Sequence, residues 1–137
     1  MEQELMRYVS AFSADPAATY RQIDLAGRTT GADPHALVGL LYEECTGALR
    51  AAAFAVEQNR PQVKSERISR ATAILFALEA GLNFEKGGAV SRTLATFYHG
   101  LRGQILQASL GRDPAPFREA ADSLEEIAGA WSSVRAG

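Results

Sequence analysis

Asp33-Pro34-His35-Ala36-Leu37-Val38-Gly39-Leu40-Leu41-Tyr42 opens with two residues that start helices. The aspartate can accept hydrogen bonds from the unpaired N–H groups of a first turn. The proline lacks an N–H that would have gone unpaired there anyway. From that start, Leu37, Leu41, Ala48, Ala52 and Ala55 fall on one face, with Val38, Tyr42, Cys45, Leu49 and Val56 beside them. Spacing by three and four is the mark of an amphipathic helix. Asn59 and Pro61 end it.

Three more helical patterns follow. Ile68, Ala71, Leu75, Leu78 and Leu82 make one stripe between about 63 and 85, with Ile74, Ala77, Gly81 and Phe84 as a second stripe. Gly87-Gly88 breaks the chain. Val90, Leu94, Phe97, Leu101, Ile105 and Ala108 mark a helix over about 89–110, with Gly111 as its expected C-cap. A second Asp-Pro start, Asp113-Pro114, precedes Phe117, Ala121, Leu124, Ile127, Trp131 and Val134 in a helix over about 114–134. Strand patterns are absent, and the connections are short. The expected fold is all-α: an antiparallel up-and-down four-helix bundle over residues 33–137.

Residues 1–32 are expected to form a mobile or short-helical N-terminal segment. Leu5, Val9 and Phe12 could line a short helix, and Asp15-Pro16 could start another turn ahead of Tyr20. The segment holds too few apolar residues for a core of its own.

The chain of 137 residues is one domain by size. Apolar residues make up 47% and charged residues 22%, which speaks against bulk disorder. A net charge of −2 predicts no general attraction to nucleic acid or anionic membrane. No basic stretch leads into an apolar core at the start, so no secretory leader is expected. Apolar runs fall far short of the ~20 residues that cross a bilayer. One cysteine, Cys45, permits no intrachain disulfide and fits a reducing compartment, so a cytoplasmic location is expected.

Candidates for chemistry are few. His35 and His99 stand alone on helices, and no Glu-x-x-His pair of a di-metal bundle occurs. Cys45 lies on an apolar face, as a small core residue would. Glu43-Glu44 and Glu125-Glu126 are adjacent and diverge on a helix. Gly87-Gly88 lacks the following lysine and preceding strand of a phosphate loop. No catalytic residue, cofactor or metal is expected. Arg60, Lys64, Arg67 and Arg70 form a basic stripe, interrupted by Glu66 and read as a solvated face.

Gly39, Gly47, Gly81, Gly100 and Gly103 all fall inside helices, each costing ~1 kcal/mol relative to alanine. Together they cost about 5 kcal/mol, comparable with the net stability of a small domain. Close helix–helix approach is the expected reason for most. The functional alternative is shallow grooves in which another chain lies.

Several of these pieces, in this order, resemble the FliS family of flagellin-specific export chaperones. Tyr20 resembles the family's N-terminal tyrosine at its distance from the helix-starting proline. Asp33-Pro34-His35-Ala36-Leu37 with Leu41-Tyr42 resembles its Ser-Pro-x-x-Leu and Leu-Tyr/Phe pattern. Leu82-Asn83-Phe84-Glu85-Lys86-Gly87-Gly88 resembles the junction of its second and third helices. Leu94, Tyr98, Leu101, Leu106, Ala108 and Arg112-Asp113 follow its third helix, and Ala130-Trp131 its closing Ala-Trp. Departures are Thr93 for the family's asparagine, Phe97-Tyr98-His99-Gly100 around its Leu-Tyr, and Ala108-Ser109 for its Ala-Asn.

The resemblance implies a cytoplasmic chaperone and no enzyme. Its client is the C-terminal disordered segment of flagellin, kept from polymerising early and delivered to the flagellar export gate. The residues expected to bind the client are Tyr20 and Ile23 in a latch, and Leu78, Leu82, Leu94, Tyr98 and Leu101 on the middle helices. Tyr20 would occupy the groove until the client displaces it. Neither nucleic acid nor membrane insertion is implied; homo-oligomers are possible. The alternative is a helical adaptor module that self-associates through the same stripes.

Overall fold

The structure, a computed structural model, describes residues 34–134. The expected short helix at Leu5, Val9 and Phe12, the Asp15-Pro16 turn, the Tyr20 latch and the cap Asp33 lie outside those residues. Five helices follow one another: α1 (Pro34–Glu57), α2 (Pro61–Ala80), α3 (Phe84–Gly87), α4 (Ala89–Ser109) and α5 (Ala115–Ser133). The fold is the all-α bundle expected, with the single turn α3 set between its second and third long helices.

Local chemistry sets the ends. Asn59 takes a left-handed backbone, φ 54°, which asparagine tolerates better than most residues. The Arg60 N–H then reaches the Ala55 carbonyl at 2.9 Å, and the Asn59 N–H reaches that of Val56 at 3.2 Å. These two bonds form a Schellman motif that pairs the last carbonyls of α1. Pro61 starts α2 directly afterwards.

The second long helix stops at Ala80, not near residue 85. Asn83 is the reason: its side chain accepts the Lys86 N–H at 3.0 Å and caps α3 as a new element. Phe84 therefore leaves the stripe predicted for it and stands exposed. Gly88, at φ 52° and ψ −122°, reverses the chain into α4. The C-cap of α4 is Leu110, with Gly111 one residue beyond. Asp113 opens α5 by accepting the Ala115 N–H at 3.0 Å.

α1 packs closely against both α2 and α5, whereas α4 sits more loosely against the same two helices. α1 and α4 are diagonal partners without backbone contact. The directions follow from cross-helix bonds. His35, at the start of α1, meets Trp131 near the end of α5. At the other end of α1, Glu57 pairs with Arg118 near the start of α5, at 2.6 Å. Arg50 joins them midway, at 2.9 Å from Asp122 and 2.6 Å from Glu125. Such exposed pairs contribute about 0.2–1 kcal/mol each.

The core draws on the predicted stripes, with Val38, Leu41, Cys45 and Leu49 from α1, Ile74, Leu75 and Leu78 from α2, Ile105 from α4, and Phe117 and Leu124 from α5. The stripe predicted for α4 is corrected in part: Val90 is exposed, Leu94 and Phe97 are half-buried, and Tyr98, outside that stripe, is core. Across its diagonal, the Tyr42 and Tyr98 hydroxyls share a hydrogen bond of 2.6 Å. Two phenols thereby enter an apolar interior without stranding either hydroxyl.

Candidate binding surface

α4 is the least covered long helix, and its sequence shows why. The row His99, Gly103, Leu106 and Leu110 advances by four, three and four residues, a single line along a helix. All four are exposed, Leu106 at 61% and Leu110 at 78%. A second row, Val90, Leu94, Phe97 and Leu101, passes from exposed through half-buried to buried as it runs along α4. Beside the first row, Phe76 of α2 is 56% exposed. The Arg102 guanidinium lies over its ring at 4.1 Å, bonded to Glu79 at 2.6 Å. Arg102 also donates to Nδ1 of His99 at 3.1 Å.

The helical glycines correct an expectation. A Cβ added at Gly47, Gly100 or Gly103 would meet nothing within 4 Å, so close helix–helix approach does not explain them. They point outward. Gly100 and Gly103 leave bare backbone on the exposed side of α4, Gly103 within the first row, and Gly47 does so on the outer face of α1. Gly39 has a side chain near, Trp131 at 3.9 Å, and Gly81 is the buried C-cap of α2 rather than a residue of its interior. Single exposed apolar residues are ordinary on any protein. Several on one loosely packed helix, separated by glycines, make a surface on which another chain can lie.

The predicted contact residues fall in three places. Tyr20 and Ile23 lie outside the described residues. Leu78 and Tyr98 have no exposure, and Leu82 and Leu101 are buried at 8% and 4%. Leu94 alone is half-exposed. Phe76, Val90, Leu106 and Leu110 were not among the residues singled out for contact. Leu106 and Leu110 step by four, and that spacing beside Gly103 was the available signal.

Other candidates have structural partners. His35 Nε2 donates to the Trp131 carbonyl at 2.8 Å, and Trp131 Nε1 donates to the His35 carbonyl at 2.9 Å. The rings stack at 4.7 Å, tying the start of α1 to the end of α5. Cys45 is fully buried, with Sγ 3.6 Å from the Ala71 carbonyl, and burial pushes its pKa up to about 12. Lys64 caps the end of α4 through the Ser109 and Gly111 carbonyls at 3.0 and 2.9 Å. Arg70 pairs with Glu44 at 3.5 Å. Half of the basic stripe thus holds helices together. Among the described residues, no group of three His, Cys, Asp or Glu side chains could hold a metal ion. No helix described is long and apolar enough to cross a membrane.

Comparison with known proteins decides the family. The model of the family described as flagellar protein FliS matches residues 16–137. The chain belongs to the FliS family. It is 32% identical over 124 residues to the flagellar secretion chaperone FliS of Salmonella typhimurium, covering 90% of this chain and 92% of the relative. It is 28% identical over 115 residues to the flagellar secretion chaperone FliS of Vibrio cholerae, covering 84% and 85%. Against the FliS of Escherichia coli K12, identity is 26% over 121 residues.

Proposed function

We propose that this FliS-family protein is a cytoplasmic export chaperone for flagellin, holding its C-terminal disordered segment before export. The observation that carries the proposal is the uncovered apolar face of α4 in a chain that matches the family from residue 16 onward. A disordered amphipathic segment would bury its apolar residues against Leu106 and Leu110 and the neighbouring Phe76 of α2, and bear the entropy of ordering on binding. Gly100 and Gly103 let such a chain approach the helix backbone. Leu78, Leu82, Tyr98 and Leu101 lie beneath this face and shape it from the core. Tyr20 and Ile23 act as a latch that the client displaces. The loaded chaperone then presents flagellin to the export gate.

Light scattering tests the proposal. Seeded flagellin monomers should stop elongating when an equimolar amount of this protein is present. Flagellin lacking its C-terminal segment should not bind. Unchanged filament growth at equimolar chaperone would overturn the reading.

A further inference from the structure

The end of the bundle that carries the α1–α2 and α4–α5 turns holds a cavity of about 390 Å³. It is remote from the α3 end, where Val90 and Leu94 begin the apolar face of α4. Arg60 and Lys64, from the start of α2, and Arg112, from the α4–α5 turn, line it around a floor that includes Ala55 and Val56. Arg60 and Arg112 are exposed. Lys64 is fixed by its two carbonyl partners and brings its charge to the same wall.

Of the carboxylates nearby, one is ion-paired outside the cavity lining and one keeps its charge at the start of α5, so three cations face one uncompensated carboxylate. Glu57 pairs with Arg118, and Asp113 accepts the Ala115 N–H. α2 begins here without a side-chain cap and without an acidic residue in its first turn. Its open N–H groups add to the positive character supplied by the three cations.

We propose that this cavity binds a short acidic peptide segment, with two or more Asp or Glu carboxylates beside an aliphatic residue. Charge complementarity selects the carboxylates, and the Ala55–Val56 floor accepts the aliphatic group. The volume is that of a small-ligand pocket and exceeds what one small ion fills. A long polyanion such as nucleic acid would meet the whole chain, whose net charge is −2. The site adjoins the end of the face assigned to flagellin, since Leu110 directly precedes Gly111 and Arg112 of its lining; it differs from that face in being basic, so steep salt dependence distinguishes the two.

Fluorescence anisotropy with a labelled Glu-Glu-Val-Glu-Glu-Leu peptide and the full chain provides the test. Saturable binding is expected at low salt, weakening as salt screens the contacts. The double variant Arg60→Gln/Arg112→Gln should bind about fivefold more weakly or worse. Lys86→Gln, at the opposite end, should bind like the wild type. Circular dichroism checks folding; should the double variant unfold, Arg112→Gln alone decides, with an expected loss of about twofold. Absence of saturable binding, equal affinity in the arginine variants, or displacement by equimolar inorganic phosphate would overturn the proposal.

Discussion

Cys45 has no contact with solvent, and its surroundings are those of a core side chain. Desolvation lifts its pKa from 9.0 to about 12, so the folded chain favours the neutral thiol. The contribution to stability is fully present below pH 9 and is lost as pH climbs toward about 12. Reactivity follows the same logic, because the thiolate is the nucleophile. Iodoacetamide at neutral pH should label native protein at least about a hundredfold more slowly than unfolded protein, since reaction needs local opening. Labelling at the unfolded rate would mean that the α1–α2 seam opens freely. Tyr42 and Tyr98 show what residue-level reading could not reach. Both occur at core spacing, yet their shared hydrogen bond joins diagonal helices, and only the assembled bundle brings the hydroxyls together.

At the scale of elements, the apolar stripes were legible because period and burial coincide. Ile74, Leu75 and Leu78 are core where the pattern put them. The end of α2 was not legible. Phe84 continues its stripe by spacing, but Asn83 can cap a new turn, and a local cap outweighed one more apolar contact. The glycines were legible as an anomaly, while their direction was not. Outward-facing Gly47, Gly100 and Gly103 lose helix propensity without any packing return. Replacing each with alanine should stabilise the protein by about 0.5–1 kcal/mol, because nothing obstructs the new methyl group. Gly88→Ala should do the reverse and cost about 1–3 kcal/mol, since its backbone region is closed to alanine. Thermal unfolding followed by circular dichroism measures both signs. A lowered midpoint in the three outward variants would show that those positions are closed rather than bare.

For the molecule as a whole, α1 is the central strut and α4 the least covered wall. The His35–Trp131 exchange and the ion pairs of Arg50 and Arg118 bind α1 to α5, leaving α4 to present its apolar rows. The sequence could identify those rows as apolar without saying which lay beneath the surface. Of the contacts expected on α2 and α4, Leu78 and Tyr98 proved fully buried, while Leu106 and Leu110, not expected as contacts, stand out to solvent. Helical spacing alone carries no information on how closely neighbouring helices approach, and here α4 approaches less closely than α1. The central claim is that this wall receives the C-terminal segment of flagellin. Titration calorimetry of a peptide covering that segment into the full chain tests it directly. The account predicts saturable binding near micromolar Kd or tighter, a negative heat-capacity change from apolar burial, and little dependence on salt. Absence of saturable heat at concentrations of about tens of micromolar would contradict it.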